Sequence, residues 1–288
     1  MRPRRSPRPR RADARDRAPP SGGAAGRRGL HRPDRADDGV GPGQSAQAVA
    51  SHFTAEQAAA FSKAIEADLG ARGARVALVF RAGRSRADMP KGIDYTHGAL
   101  WIYREIRTAD GGVVQGYAVY NLYAGDGKAW PVSQSRLVQD YPLDFVRASS
   151  VDDVGVILPS PEMQRRLLNL VDSPAYAALH NPSYTLVANP FSAAHQNCTN
   201  FLLDLVAAAA WETSDPAQIR ADLTAHFTPT TIKAGSLPRW LGPVVDPRLQ
   251  TDDQPGPIRT ATYESLAAFM RANGLITDAY VLRERPTG

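Results

Sequence analysis

Apolar residues first recur at helical spacing at Ala58, Phe61, Ile65 and Leu69, behind a Thr54–Gln57 pair spaced as a capping box. The pattern predicts a helix that stops at Gly70. RVALVF (75–80) is an unbroken apolar run and reads as a strand. YTHGALWIYREI (95–106) and VVQGYAVYNLY (113–123) flank the turn TADGG (108–112) and predict the clearest hairpin in the chain. After a Pro-interrupted aromatic segment at 140–145, GVILP (155–159) reads as a short strand, and Ser160-Pro161 opens a helix carrying Met163, Leu167, Leu168 and Val171. SYTLVANPF (183–191) is predicted as another strand. NCTNFLLDLVAAAAW (197–211) is apolar on every side, as a buried helix must be. Further helices start at Asp215-Pro216 and near Thr262, AYVLRE (279–284) can close the sheet, and the Pro-rich stretch 228–260 is predicted irregular. Strands and helices alternate without a regular βαβ rhythm, which favours an α+β fold with an antiparallel sheet.

Charge divides the chain unevenly. Of its net +5, residues 1–50 supply +7 through twelve arginines and five aspartates, while the rest holds 22 basic against 24 acidic side chains. That tail has seven prolines, seven glycines and no aromatic residue, so it lacks the apolar area to offset the entropy of ordering. Residues 1–51 are therefore expected to be a disordered basic tail, and 52–288 a single domain with a helical insertion at about 137–182. A nucleic-acid-binding arm is one reading of the tail. The favoured one is a misassigned start that replaces a signal peptide, since Ala46-Gln47-Ala48 has the small-x-small form of a cleavage site without an apolar segment before it. No nucleic-acid partner is expected. No run of about 18 apolar residues predicts a transmembrane segment.

The single cysteine, Cys198, excludes an intrachain disulfide and any cysteine-only metal cage. It stands at the predicted start of the apolar helix, where the macrodipole favours an anion and a thiolate is expected to have a lowered pKa. Most lone cysteines are small apolar core residues, and that reading stands beside the nucleophilic one. His97 opens the strand HGALWIY; it is either a satisfied histidine at a sheet rim or the base for Cys198. Asn121, in AVYNLY, is the candidate to orient His97. A hairpin turning about Ala109 sets the two opposite each other, whereas one turning about Asp110-Gly111 sends Asn121 to the other face. Gln196 and Asn197 could donate to an oxyanion, with Asn197 alternatively the plain N-cap. Tyr95 is a candidate lining residue. His195 and Cys198 lack further ligands for zinc, so no metal and no cofactor are expected.

THGALWIY, followed 101 residues after its histidine by the cysteine of QNCTNFLLDLV, resembles the circularly permuted papain-like superfamily of NlpC-related peptidases and lecithin:retinol acyltransferase-like enzymes. The glycine directly after His97 departs from that group's H-x-G motif. More closely, YTHGALWIY, YNLY, LVQDYP, LHNPSY, NPF and QNCTNFLLD resemble the bacterial domain of unknown function 2145 over about residues 52–284. The resemblance implies a permuted papain-like α+β fold, with the antiparallel sheet packed against the cysteine-bearing helix. It also implies a catalytic set of Cys198, His97 and Asn121, and a cysteine hydrolase or acyltransferase acting on peptide, cell-wall or lipid acyl substrates. Export to the periplasm or medium is expected. The alternative is an inactive envelope binding or assembly protein of the same fold.

Overall fold

The computed structural model describes residues 52–108, 111–233 and 246–284. The expectations for residues 1–51, both the disordered tail and the misassigned start, lie outside the described residues.

Helix α1 (Ala55–Ala71) begins with the reciprocal cap its sequence encodes: the Gln57 amide donates to Thr54 Oγ1 at 3.2 Å, and the Thr54 amide to Gln57 Oε1 at 2.9 Å. Gly73, at φ 65°, turns the chain into β1 (Val76–Arg81), which is buried at every position. The hairpin follows as β2 (His97–Arg107) and β3 (Val113–Ala124). Next come β4 (Ser135–Asp140), α2 (Pro142–Arg147), β5 (Asp153–Pro159), α3 (Pro161–Val171) and the short α4 (Ala175–Ala178). The rest comprises α5 (Cys198–Trp211), α6 (Pro216–His226), β6 (Thr230–Ile232), β7 (Ile258–Thr260), α7 (Tyr263–Ala272) and β8 (Ile276–Arg283).

Six strands form one sheet in the order β4-β3-β2-β1-β5-β8, every neighbouring pair antiparallel. Both faces are covered. Val76, Leu78, Phe80, Leu100 and Ile102 point to one core, shared with Phe201, Leu202 and Leu205 of α5, Leu167 of α3 and Leu266 of α7. Ala77, Val79, Ala99 and Trp101 point to the other, shared with Phe61, Ile65 and Leu69 of α1 and Phe145 of α2. The fold is α+β in three layers.

Three expectations need correction. Residues 137–182 are not a helical insertion, because they contain β5, which pairs with β1 inside the main sheet, and the end of β4. The stretch 183–191 forms no strand. Pro190 interrupts it, and its polar groups bond to a neighbouring segment: the Leu186 amide to Arg248 O at 3.1 Å and the Asn189 amide to Asp253 Oδ2 at 2.7 Å. The Pro-rich stretch 228–260 is not wholly irregular, since β6 and β7 pair at its two ends.

Helix α5 lies close on β2 because position 98 is glycine. A Cβ there would stand 2.5 Å from Phe80 Cε1 and 2.8 Å from Leu202 Cδ1. Gly98→Ala is expected to cost about 1–3 kcal/mol, read as a lower urea midpoint at unchanged slope.

Candidate functional site

Cys198 is the first residue of α5, and Asn197 is its cap, its Oδ1 accepting the Asn200 amide at 2.9 Å. The cap's other end, Nδ2, donates to Leu186 O at 3.1 Å, so Asn197 ties the helix start to the irregular 183–191 segment. Cys198 is buried, at 3% exposure, yet lines a cleft with Tyr95, Thr96, Tyr184, Asn197, Thr199 and Thr260. Arg84 and Arg248 stand at the same cleft, the latter paired with Asp246 at 2.6 Å. The sulfur is 3.9 Å from Thr96 O and also accepts from the backbone N–H groups of Gly98 and Thr199.

The thiol is not acidified, contrary to the expectation from its helix-start position. Burial pushes its pKa above the ordinary 9.0, outweighing the N–H donors, the Thr199 hydroxyl and the Arg81 charge, all of which act the other way. A helix terminus offers a few tenths to about 1 kcal/mol to an anion, less than the cost of withdrawing a thiolate from water.

His97 is brought to Asn121. The Thr108–Gly112 hydrogen bond closes a three-residue connection, and Leu100 consequently faces Tyr120. Neither register anticipated from the turn applies. The observed one still leaves His97 and Asn121 on one face, diagonally placed, with His97 Nε2 3.0 Å from Asn121 Oδ1. Asn121 Nδ2 donates to Asp140 Oδ2 at 3.1 Å, and Tyr123 Oη donates to the same oxygen at 2.8 Å. Because the amide's NH2 is turned to Asp140, its carbonyl oxygen accepts the His97 Nε2–H, and the basic lone pair falls on Nδ1. The imidazole stacks on Tyr123 at 5.1 Å and lies 5.7 Å from Phe145 of α2. It therefore packs against the α1/α2 layer.

The remaining candidates have other work. Gln196 is consumed structurally: Nε2 donates to Leu179 O at 3.0 Å and Asp204 Oδ2 at 2.8 Å, and Oε1 accepts the Asn181 amide at 2.9 Å. Its amide is thus committed and not an oxyanion donor. Asn197 is the plain cap, on the cleft wall. Tyr95 also lines the cleft, its hydroxyl donating to the buried Asp153 at 3.1 Å. Among the described residues, no group of three His, Cys, Asp or Glu side chains is arranged to hold a metal, and no helix is long and apolar enough to cross a membrane.

Sequence reasoning missed two features. Arg81 is buried at 3% exposure, donates to Ala148 O at 2.6 Å and projects its charge onto His97, Tyr123 and Asp140. Its position at the end of a buried strand, Arg81 opposite His97, was the available signal. Ser183, His195 and Asp252 form a chain, with Ser183 Oγ 2.8 Å from His195 Nδ1 and His195 Nε2 2.9 Å from Asp252 Oδ1. None of the three lines the cleft; together they fasten the loop before Cys198 to the 246–254 segment.

Fold and site define a three-layer α+β domain with a cysteine at a helix start in a cleft wall and a histidine–asparagine pair spanning the neighbouring strands β2 and β3. The chain belongs to the family described as an uncharacterized protein conserved in bacteria, DUF2145, whose model matches residues 68–270. Comparison with curated proteins gave no match, and comparison with solved structures gave none.

Burial holds His97 well below the ordinary 6.5, with the Arg81 charge adding to the effect and the Asn121 bond opposing it. The unfolded chain takes up a proton at 6.5 that the folded site refuses. This group's stabilisation is thus complete above pH 6.5 and declines on acidification, by about 1.4 kcal/mol per pH unit. His97→Gln is expected to remove that share of the slope between pH 6.5 and 5, measured by urea unfolding beside the wild type.

Proposed function

We propose that the protein is a cysteine hydrolase or acyltransferase of the circularly permuted papain-like type, acting on amide or ester bonds of peptide, cell-wall or lipid acyl substrates in the bacterial envelope. Export to the periplasm or medium is part of this reading. The observation that carries it is the place of Cys198: a sulfur fixed by a buried helix, in the wall of a cleft, against two backbone N–H donors. Support also comes from the His97–Asn121–Asp140 chain, which starts between the two residues that touch that sulfur.

In the reaction, Sγ attacks the carbonyl carbon, and the thiol proton passes by way of His97 to the departing amine or alcohol. A thioester is left on Cys198. Water opens it in hydrolysis, or a second nucleophile does so in transfer, and the sulfur regains its proton. Both the thiol and the imidazole are uncharged at rest, which suits general-base transfer better than a preformed ion pair.

The burial of Cys198, which raises its thiol pKa, favours a second reading, a binding or assembly module of the same fold in which Cys198 only packs. Iodoacetamide alkylation of the native protein across pH 5–9 separates them. The enzyme reading expects the His97 imidazole to assist the thiol as a general base, so that His97→Ala slows alkylation at pH 7 by about tenfold or more. Reaction only above the ordinary thiol range, with an identical profile in His97→Ala, would establish the binding reading instead.

A further inference from the structure

The series Ser183–His195–Asp252 has the polarity of a nucleophile, its base and the group that orients the base. Ser183 Oγ stands 2.8 Å from His195 Nδ1, and His195 Nε2 stands 2.9 Å from Asp252 Oδ1. The Asp252 carboxyl is held below its usual range, first by that bond, so at neutral pH it is ionised and only accepts. In the neutral imidazole Nε2 therefore carries the proton, and Nδ1 offers its lone pair to the serine hydroxyl. Which ring nitrogen meets the serine is immaterial to proton transfer; the direction of the two bonds decides it.

Fastening the loop before Cys198 accounts for the His195–Asp252 bond but not for the serine hydroxyl. Ser183 is already held by its backbone, its N–H donating to Asn181 Oδ1 at 2.9 Å and its carbonyl accepting the Gln196 amide at 2.8 Å. The series also faces water. Ser183 is partly exposed, Pro182 before it and Ala193 and Ala194 before His195 are exposed, and the Asp252 side chain is 71% exposed. His195 itself is 8% exposed, so its ring is held in one orientation between a reachable hydroxyl and a solvated carboxylate.

We propose that Ser183 is a second nucleophile of this protein, with His195 as its general base and Asp252 as the residue that positions the imidazole, and that it cleaves small carboxylic esters. Oγ bonds to the ester carbonyl carbon while its proton passes to His195 Nδ1. The ester C–O bond breaks, and the alkoxide takes that proton and leaves as the alcohol. Water then gives a proton to Nδ1 and bonds to the acyl carbon, the bond to Oγ breaks, and the serine recovers its proton as the acid departs. Small, activated esters suit a reaction centre at the surface, since they need little binding area. The site is separate from the Cys198 cleft and does not rest on thiol chemistry.

Reaction of the full chain with an alkyl fluorophosphonate, in which Oγ displaces fluoride from phosphorus, tests the assignment when the modified residue is located by peptide mass spectrometry. Native protein is expected to carry the adduct on Ser183, urea-unfolded protein is expected to lack it, and p-nitrophenyl acetate is expected to acetylate the same residue. His195→Gln is expected to slow the adduct at least about a hundredfold, the lower end of what a general base contributes. Asp252→Asn is expected to slow it about tenfold at an unchanged urea midpoint, less than for a buried carboxylate, and a purely structural Asp252 would leave the rate alone. If His195→Gln does not fold, the surface variant Asp252→Asn carries the comparison. No adduct on Ser183 of the folded wild type, an equal rate in the unfolded chain, or an unchanged rate in either folded variant would each overturn the proposal. The adduct is read at Ser183 and the alkylation at Cys198, so the two nucleophile readings fail separately.

Discussion

Strand β2 is covered by helices on both faces, and the alternation of its side chains governs the rest of the site. A strand with one open face can slip or bulge at modest cost; one packed on both sides cannot, because a one-residue shift would exchange two complete hydrophobic sets. Leu100 and Ile102 belong to the α5 layer and Ala99 and Trp101 to the α1/α2 layer. The same rule sends position 97 away from α5 and position 98 toward it. Gly98 leaves room for Leu202 of α5 against the strand, and the Cys198 sulfur lies 3.9 Å from Thr96 O and 3.9 Å from the Thr199 hydroxyl.

The polar groups at the end of the sheet follow from that placement. An imidazole directed into the α1/α2 layer must be satisfied there, and Asn121, Asp140 and Tyr123 do this with bonds of 2.8–3.1 Å. Arg81 joins from the adjacent strand. Burial raises the Asp140 carboxyl, the neighbouring Asp144 adds to this, and Tyr123 and Arg81 oppose it. On the α5 side, Asp204 plays a comparable part. It is buried in the helix, pairs with Arg220 and receives Gln196. Arg220 also reaches Pro190 O at 2.6 Å, so one buried carboxylate holds Pro190 and Gln196 on the stretch that delivers the chain to Cys198. Two polar networks, one per layer, thus set the His97 imidazole and the start of the helix that carries Cys198.

Much of this frame was legible in the sequence. The capping box at Thr54, the apolar runs of β1 and α5, and the β2–β3 hairpin are local signals, and local physics produced them. Asn121 beside His97 was readable only in parity, because the turn residues permit several closures and each shifts the facing partner. The strand expected at 183–191 failed for a different reason. Its apolar residues pack in a small cluster with Ile93, Ile232 and Ile258, and its backbone bonds to a segment more than 60 residues away. No local pattern encodes such pairing. β4 was overlooked because an edge strand of mixed burial, Ser135–Asp140, has neither a continuous apolar run nor clean alternation.

Position also governs what the charges accomplish. The arginine-rich tail dominates the net charge, yet the arginines at the cleft come from the folded part and act through their immediate neighbours. Arg248 is neutralised by Asp246 two residues earlier, and Arg81 is enclosed and serves the His97 network. A buried charge is costly unless matched, so each guanidinium has been assigned a counter-charge or a hydrogen-bonding role according to its depth. The same economy applies to Cys198. At the rim of a helix start the thiol would gain from the dipole, but 3% exposure reverses the balance. Depth within the fold, more than position along the helix, determines the charge state of both sulfur and imidazole.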